Sequence, residues 1–209
     1  MTVDKTKARV LTAASAVFCE KGYENTTIRE ICTAAQANVA SINYHFGDKR
    51  TLYVQVLKQW VDESIDNSIL DQFSTDTPPI EKLKAYVKSE LKDICLFIDP
   101  SGVTLRRVRH LLKEFSADNA EQDIFTKFCE HEELILHPII DELTGSVSQS
   151  TRDEVYIAVG GTLTHFFLRI VEDPDQAIKT PEEHESISET LTTFIAGGLS
   201  AVKDKANAK

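Results

Sequence analysis

The chain has 209 residues, 42% of them hydrophobic, and a formal net charge of −10; that length holds one large helical domain, or a small one beside a medium one, around an ordinary soluble core. No run of about eighteen apolar residues is present, which excludes a membrane-spanning helix, and Met1–Lys7 lacks the apolar stretch of a signal peptide, so a cytoplasmic location is expected. Cys19, Cys32, Cys95 and Cys129 are scattered without Cys-x-x-Cys or metal-ligand spacing and read as reduced core thiols.

The first helix is expected over Lys5 to Lys21, with Ala8, Leu11, Ala14 and Phe18 on its buried side and Gly22 as its stop. In Thr27 to Ala35 the apolar residues Ile28, Ile31, Cys32 and Ala35 fall at i, i+3, i+4 and i+7, one face of a helix. Thr26 or Thr27 can cap it, and Glu30 stands three residues after Thr27, the spacing of a capping box. Gln36-Ala37 breaks the pattern. Asn38 then caps a second short helix, Val39 to Phe46, whose Ile42 and Phe46 share an apolar face with Val39 nearby. Its other side, Ala40, Ser41, Asn43 and Tyr44, is small and hydrogen-bonding. Short side chains let a helix backbone sit deep in a major groove, where Asn and Tyr supply donors to base edges and phosphates.

The run from Ala35 to Lys49, preceded by Phe18, Gly22-Tyr23 and Thr26-Thr27-Ile28, resembles the N-terminal DNA-binding domain of the TetR family of transcriptional regulators. The likeness runs without a gap over about the first sixty residues. It implies a helix-turn-helix whose second helix carries the recognition residues Asn38, Val39, Ala40, Ser41, Asn43, Tyr44 and His45. Thr26, Thr27 and Arg29, at the helix start that favours an anion, and Lys49, at the start of the next helix, are then phosphate contacts. For the threonines the alternative is simple capping, for His45 a packing role, and for Tyr23 a place at the core edge. Two positions depart from the family pattern. Gln36 replaces the turn glycine, so the turn must tolerate a non-glycine residue, with positive φ a possibility; Asn43 stands where tyrosine is usual, which moves the aromatic contact to Tyr44.

Charge is unevenly spread: residues 1–58 carry eight Lys or Arg against five Asp or Glu, +3, and the remainder 15 against 28, −13. A basic phosphate-facing module on an acidic body has this asymmetry.

Leu52 to about Phe73 is expected as one long helix joining reading head to body, followed by the break Ser74 to Pro79. Ile80 to Ile98 follows, with Leu83, Val87, Leu91, Ile94, Cys95 and Ile98 inward, then Val103 to Phe115, then Ala120 to Leu143, kinked or restarted at His137-Pro138. This middle region is the candidate ligand site: Phe97, Arg106, His110, Phe128, His131 and His137, with Arg107, Phe115 and Phe125, mix aromatic and cationic groups as in a pocket for a flat or anionic small molecule. Core packing and surface ion pairing are the competing explanations. His110/Glu114 and Glu133/His137 have i, i+4 spacing but no third metal ligand, and neither a metal nor another cofactor is expected. The segment Leu105 to Ile140 is similar to the C-terminal domain of the CecR-like branch of the family, whose members are associated with response to antibiotics or toxic compounds.

Val155 to Val171 and Glu185 to Val202 are expected as the last two helices. Each carries a glycine pair, and a glycine inside a helix costs about 1 kcal/mol relative to alanine. Close approach across a two-fold interface would explain both pairs, with Val159, Gly160, Leu163, Phe166, Phe167, Leu191, Phe194, Ile195 and Gly198 forming a four-helix dimer bundle.

The expectation is thus an all-α homodimer, with a helix-turn-helix domain at 1–51, a ligand-binding and dimerisation domain at 52–203 and a frayed tail at 204–209. It would bind a palindromic double-stranded DNA operator as a repressor and be released by a small-molecule effector. The alternatives are a constitutive DNA-binding regulator, a helical protein-interaction module, and a small enzyme using His110, Glu114 and His137 as acid-base groups. The last lacks a nucleophile–base constellation or phosphate loop, so no enzyme is expected.

Overall fold

The computed structural model describes residues 2–64, 69, 73–74, 76–96, 98–115, 122–145 and 147–208. Among these residues there are nine α-helices and no strand. They are α1 (Thr2–Asn25), α2 (Ile28–Ala35), α3 (Val39–Phe46), α4 (Lys49–Ser64), α5 (Pro79–Leu91), α6 (Val103–Phe115), α7 (Gln122–Thr144), α8 (Gln149–Glu172) and α9 (Pro181–Asn207). The chain divides into two compact units, Met1–Ile65 with Arg106–Thr126, and Asp66–Leu105 with Lys127–Lys209.

In the first unit α1 bends at Gly22, whose φ of 73° and ψ of 174° no helix contains, so the predicted stop falls where expected although helical bonding resumes to Asn25. Its buried face is Val10, Ala14, Ser15, Phe18 and Cys19, whereas Ala8 is exposed and Leu11 only half-buried. The core joins Phe18 to Ile31, Ile42, Phe46 and Leu52, all at most 3% exposed, while Ile28 stays half-buried. Phe18 meets Tyr53 edge-on at 4.9 Å, and the indole of buried Trp60 donates to the Ser15 hydroxyl at 2.7 Å. Full burial of one such apolar side chain contributes about 1.5–3 kcal/mol.

The C-terminal half of α6 packs on this unit. Its His110 donates from Nε2 to the Cys19 carbonyl at 3.1 Å, Arg107 pairs with Glu63 at 2.7 Å, and Arg106 stands 3.6 Å from Glu20.

The second unit is a helical bundle around Leu83, Val87, Leu91, Leu136, Ile139, Ile140, Leu163 and Leu199. α5 ends at Leu91, short of the expected Ile98: a 3-10 turn, Lys92–Ile94, leads to extended Cys95, which pairs with Ile178. The Leu96 N–H donates to the Ile178 carbonyl at 2.8 Å, a tertiary bond that replaces the next helical turn, and Ile98 is left 55% exposed. α7 runs through Pro138 as one helix, so of the expected kink or restart the restart does not occur. α8 starts at a cap in which Ser148 accepts from the Thr151 N–H, and α9 at Thr180, which accepts from Glu183 N–H. Both therefore begin earlier than their apolar patterns, and α9 continues helical to Asn207, into the stretch expected to fray. Lys84 bridges α5 to Glu185 of α9 at 2.9 Å, and Arg152 bridges α8 to Asp141 of α7 at 2.7 Å; such surface pairs contribute at most about 1 kcal/mol each.

Candidate nucleic-acid interface

α2 is set by its first turn. The Thr27 N–H donates to Glu30 Oε2 at 2.8 Å while the Glu30 N–H donates to the Thr27 hydroxyl at 3.2 Å, the reciprocal capping box. Lys21 pairs with the same carboxylate at 2.5 Å, and Lys21 followed by Thr27 holds its pKa down to about 2. Thr26 is 1% exposed and its hydroxyl donates to the Gly22 carbonyl at 2.7 Å. Thr26 therefore fastens the chain beneath the helix start; the exposed groups there are Thr27 and Arg29.

Gln36 supplies the turn with φ 49° and ψ 46°, and its N–H is shared between the Cys32 and Thr33 carbonyls. The non-glycine residue thus takes the left-handed conformation that glycine takes at lower cost. Arg9 of α1 reaches back to the Gln36 carbonyl at 3.4 Å.

α3 follows at once, capped by the Asn38 side chain, which accepts from the Ser41 N–H at 2.8 Å. Asn38 is thereby engaged on its own helix. Ile42 and Phe46, 0% and 3% exposed, anchor one face. The opposite face carries Val39 at 44% and Tyr44 at 79% exposure, with Ala40 and Asn43 also exposed and Ser41 and His45 half-buried. The His45 ring lies between Tyr44, 5.0 Å away, and Phe46, 6.2 Å away. A large aromatic exposed beside small residues is the arrangement that can enter a groove, since nothing bulky on the helix flank holds the backbone off.

Lys49 opens α4, where the Asp48 carboxylate accepts from the Thr51 N–H at 2.7 Å; that bond lowers the pKa of Asp48. The Lys49 ammonium rests 4.4 Å from the centroid of Tyr23, and Tyr23 is half-buried with its ring 5.0 Å from Tyr53. Tyr23 is thus a core-edge residue that also carries the lysine.

Residues 10–56 match the family model of bacterial regulatory proteins, tetR family. The chain carries a tetR-family domain. The sequence is also 31% identical over 131 residues to the HTH-type transcriptional dual regulator CecR of Shigella flexneri, covering 63% of this chain and 52% of that protein. It is 30% identical over 90 residues to the HTH-type transcriptional regulator RutR of Escherichia coli (strain K12), covering 43% and 42%. Against the HTH-type transcriptional repressor NicS of Pseudomonas putida it is 25% identical over 211 residues, covering 98% and 87%. The alignments thus span about half the length of the first two relatives. A solved TetR family transcriptional regulator from Pseudomonas syringae pv. tomato superposes with a TM-score of 0.69 at 16% identity, covering 93% of this chain and 96% of that one. A transcriptional regulator from Rhodococcus sp. Rha1 gives 0.71 at 17% identity, covering 92% and 96%. These two show a shared fold.

Of the expected ligand-site residues, Arg106 and His110 lie in the unit that holds the tetR-family domain, and Phe128, His131 and His137 in the second. Phe97 lies outside the described residues. His110 is committed to the Cys19 carbonyl and lies 6.0 Å from the Trp60 ring; burial, above all, lowers its pKa. Glu114, its neighbour one turn on, pairs with Arg50 instead. His137 meets Tyr156 edge-on at 4.9 Å, and its buried Nε2 has no hydrogen-bond partner among the described residues.

A polar cluster in the second unit was not foreseen. The Tyr86 hydroxyl donates to Glu132 at 2.6 Å, and burial, with the charges of Glu132 and Asp93, pushes the Glu90 carboxyl well above the usual carboxylate range. The visible signal was Glu90 itself, a charged residue between apolar Val87, Leu91 and Ile94 at helical spacing.

The expected interface residues also sort by burial. Val159, Leu163 and Ile195 are 5%, 3% and 4% exposed and belong to the core of the second unit. Phe166, Phe167 and Leu191 pack partly buried against that core, and Gly160 is half-buried. Phe194 and Gly198 are exposed, joined on α8 and α9 by Ile157, Gly161, Leu168 and Gly197. A Cβ added at any of these four glycines would meet nothing within 4 Å among the described residues.

Proposed function

We propose that the chain is a DNA-binding transcriptional regulator, a homodimer whose two α3 helices enter successive major grooves about 34–36 Å apart and read a palindromic operator. The observation that carries this reading is α3 itself: a helix anchored by Ile42 and Phe46 that presents Tyr44 at 79% and Val39 at 44% exposure beside Ala40 and Asn43. Thr27, Arg29 and Lys49 are the flanking phosphate contacts, and Asn38, Ser41 and His45 set the helix in place with edges available to DNA. Thr26 contributes through its backbone position, its hydroxyl being buried.

Phe194, Ile157 and the glycines outside them support the dimer. Phe194 and Ile157 are large apolar side chains exposed on α9 and α8, and a Cβ added at any of the glycines would meet nothing within 4 Å among the described residues. A small molecule bound in the second unit, near Phe128, His131 and His137, would release the protein from the operator, provided it binds the released conformation more tightly than the DNA-bound one. The unpartnered Nε2 of His137 supports a polar ligand contact there. The name of the relative NicS, a repressor, agrees with repression as the direction of control. Among the described residues no helix is long and apolar enough to cross a membrane, and a regulator of this kind would work in the cytoplasm.

The test compares wild type with Tyr44→Ala and Lys49→Ala on selected and random duplexes. Tyr44→Ala is expected to weaken the selected duplex most, Lys49→Ala both alike. Undiminished binding by both folded variants would sink the assignment of the reading head.

A further inference from the structure

Glu114 stands one residue before the end of α6, with its side chain 11% exposed, and its carboxylate accepts a hydrogen bond from the Arg50 guanidinium at 2.5 Å. Arg50 is the second residue of α4, next to Lys49. Its guanidinium carbon lies 5.8 Å from the ring centroid of Tyr23 and the same distance from that of Tyr53. Those two rings are 5.0 Å apart, and the Lys49 ammonium rests 4.4 Å over Tyr23. A continuous contact path therefore runs from a carboxylate on α6 through a guanidinium and a phenol ring to the lysine that opens α4.

We propose that Glu114 is a positioning residue for Lys49: by fixing the Arg50 guanidinium against Tyr23, it holds the ring on which the Lys49 ammonium is set for a phosphate. The proposal rests on the reading of this unit as a DNA-binding head. A carboxylate so enclosed is strongly disfavoured without a counter-charge, so the pair is held closed, and a planar guanidinium held by a carboxylate keeps its orientation over a ring. A cation over an aromatic face is attracted by the ring quadrupole, which biases the flexible lysine toward one rotamer. Ordering Lys49 before binding removes an entropy loss that would otherwise weaken the complex.

Docking of α6 does not depend on this pair. Arg107 is bound to Glu63 at 2.7 Å with its guanidinium carbon 5.7 Å from the Trp60 centroid, and His110 is bound to the Cys19 carbonyl at 3.1 Å. Loss of the Glu114 charge therefore leaves α6 attached while taking this carboxylate away from the Arg50 guanidinium.

The sign of the effect is diagnostic. Glu114→Gln adds one positive charge to the head, and by net charge alone it would tighten DNA binding. Positioning requires the opposite: affinity for the duplex enriched by wild type from a random pool should fall about three- to tenfold, with the slope of log K against log salt reduced by up to ~0.9, one phosphate contact. On a Lys49→Ala background the same change should have no further effect, because what Glu114 positions is gone. The pair Arg50→Gln with Glu114→Gln keeps net charge constant; it should show the same loss and serves if the single variant does not fold. Unchanged or tighter binding by a folded variant, or losses that add to those of Lys49→Ala, would overturn the proposal. If wild type enriches no duplex, the DNA-binding reading fails first and Glu114 with it.

Discussion

The backbone N–H of Gln36 points back to the carbonyl of Cys32 from a left-handed conformation, φ 49° and ψ 46°. This closes α2 and aims the chain toward Asn38. An L-residue with a Cβ pays about 1 kcal/mol for that conformation. Gln36→Gly is therefore expected to stabilise the protein by up to about 1 kcal/mol, offset in part by the greater freedom glycine gives the unfolded chain. Urea unfolding reads the difference directly; a destabilised variant would mean that the Gln36 side chain makes a compensating contact.

Thr27→Ala removes the hydroxyl that accepts from the Glu30 N–H, and a lost cap of this kind costs about 1 kcal/mol. Thr26→Ala removes a buried hydroxyl bound to the Gly22 carbonyl and should also destabilise, by a similar amount. Their DNA phenotypes should differ: only Thr27→Ala should weaken duplex binding by the folded protein, with the salt slope unchanged because a hydroxyl neutralises no phosphate. Equal affinities for both would place the exposed threonine away from phosphate.

Burial raises the Glu90 pKa well above its ordinary value, and Glu132 is raised as well, burial again being the first cause. A carboxyl with a raised folded pKa makes the native state bind more protons than the unfolded chain. Stability therefore declines as pH rises from the unfolded value, about 4.5, toward the folded one. Glu90→Gln should flatten this decline and raise stability at pH 8 relative to wild type, because the amide has no charge to desolvate. Urea midpoints at pH 6 and pH 8 check it; parallel curves for the two proteins would remove Glu90 as the source.

Phe194 and Leu163 lie on neighbouring helices of one unit but differ in exposure, 66% against 3%. Phe194→Asp should leave the fold intact and shift sedimentation from dimer to monomer. Leu163→Ala should instead destabilise by about 2–5 kcal/mol through the cavity it leaves. A Phe194→Asp protein that remains dimeric would move the interface elsewhere.

These contrasts show what was legible in the residues. The capping box at Thr27 and Glu30, the Asn38 cap and the α2–turn–α3 unit were all readable, because their determinants lie within four residues of one another. Ile98 was misplaced because α5 is ended by the Leu96 bond to Ile178, which no local pattern announces. Val159, Leu163 and Ile195 were grouped with exposed Phe194 in one bundle because residues 155–168 of α8 and 190–202 of α9 contain no Asp, Glu, Lys or Arg, and periodicity gives a direction only where one side is polar. The place of His110 was equally hidden: its partner Cys19 is 91 residues earlier in the chain.

The most direct test is selection of bound duplexes from a random DNA pool by the full chain, followed by shift assays at stated salt. The account predicts an enriched palindrome of two half-sites whose centres lie about one helical turn apart or a multiple of it, bound by the dimer and lost with Tyr44→Ala. A folded dimer that enriches no sequence, with or without added candidate effectors, would contradict it.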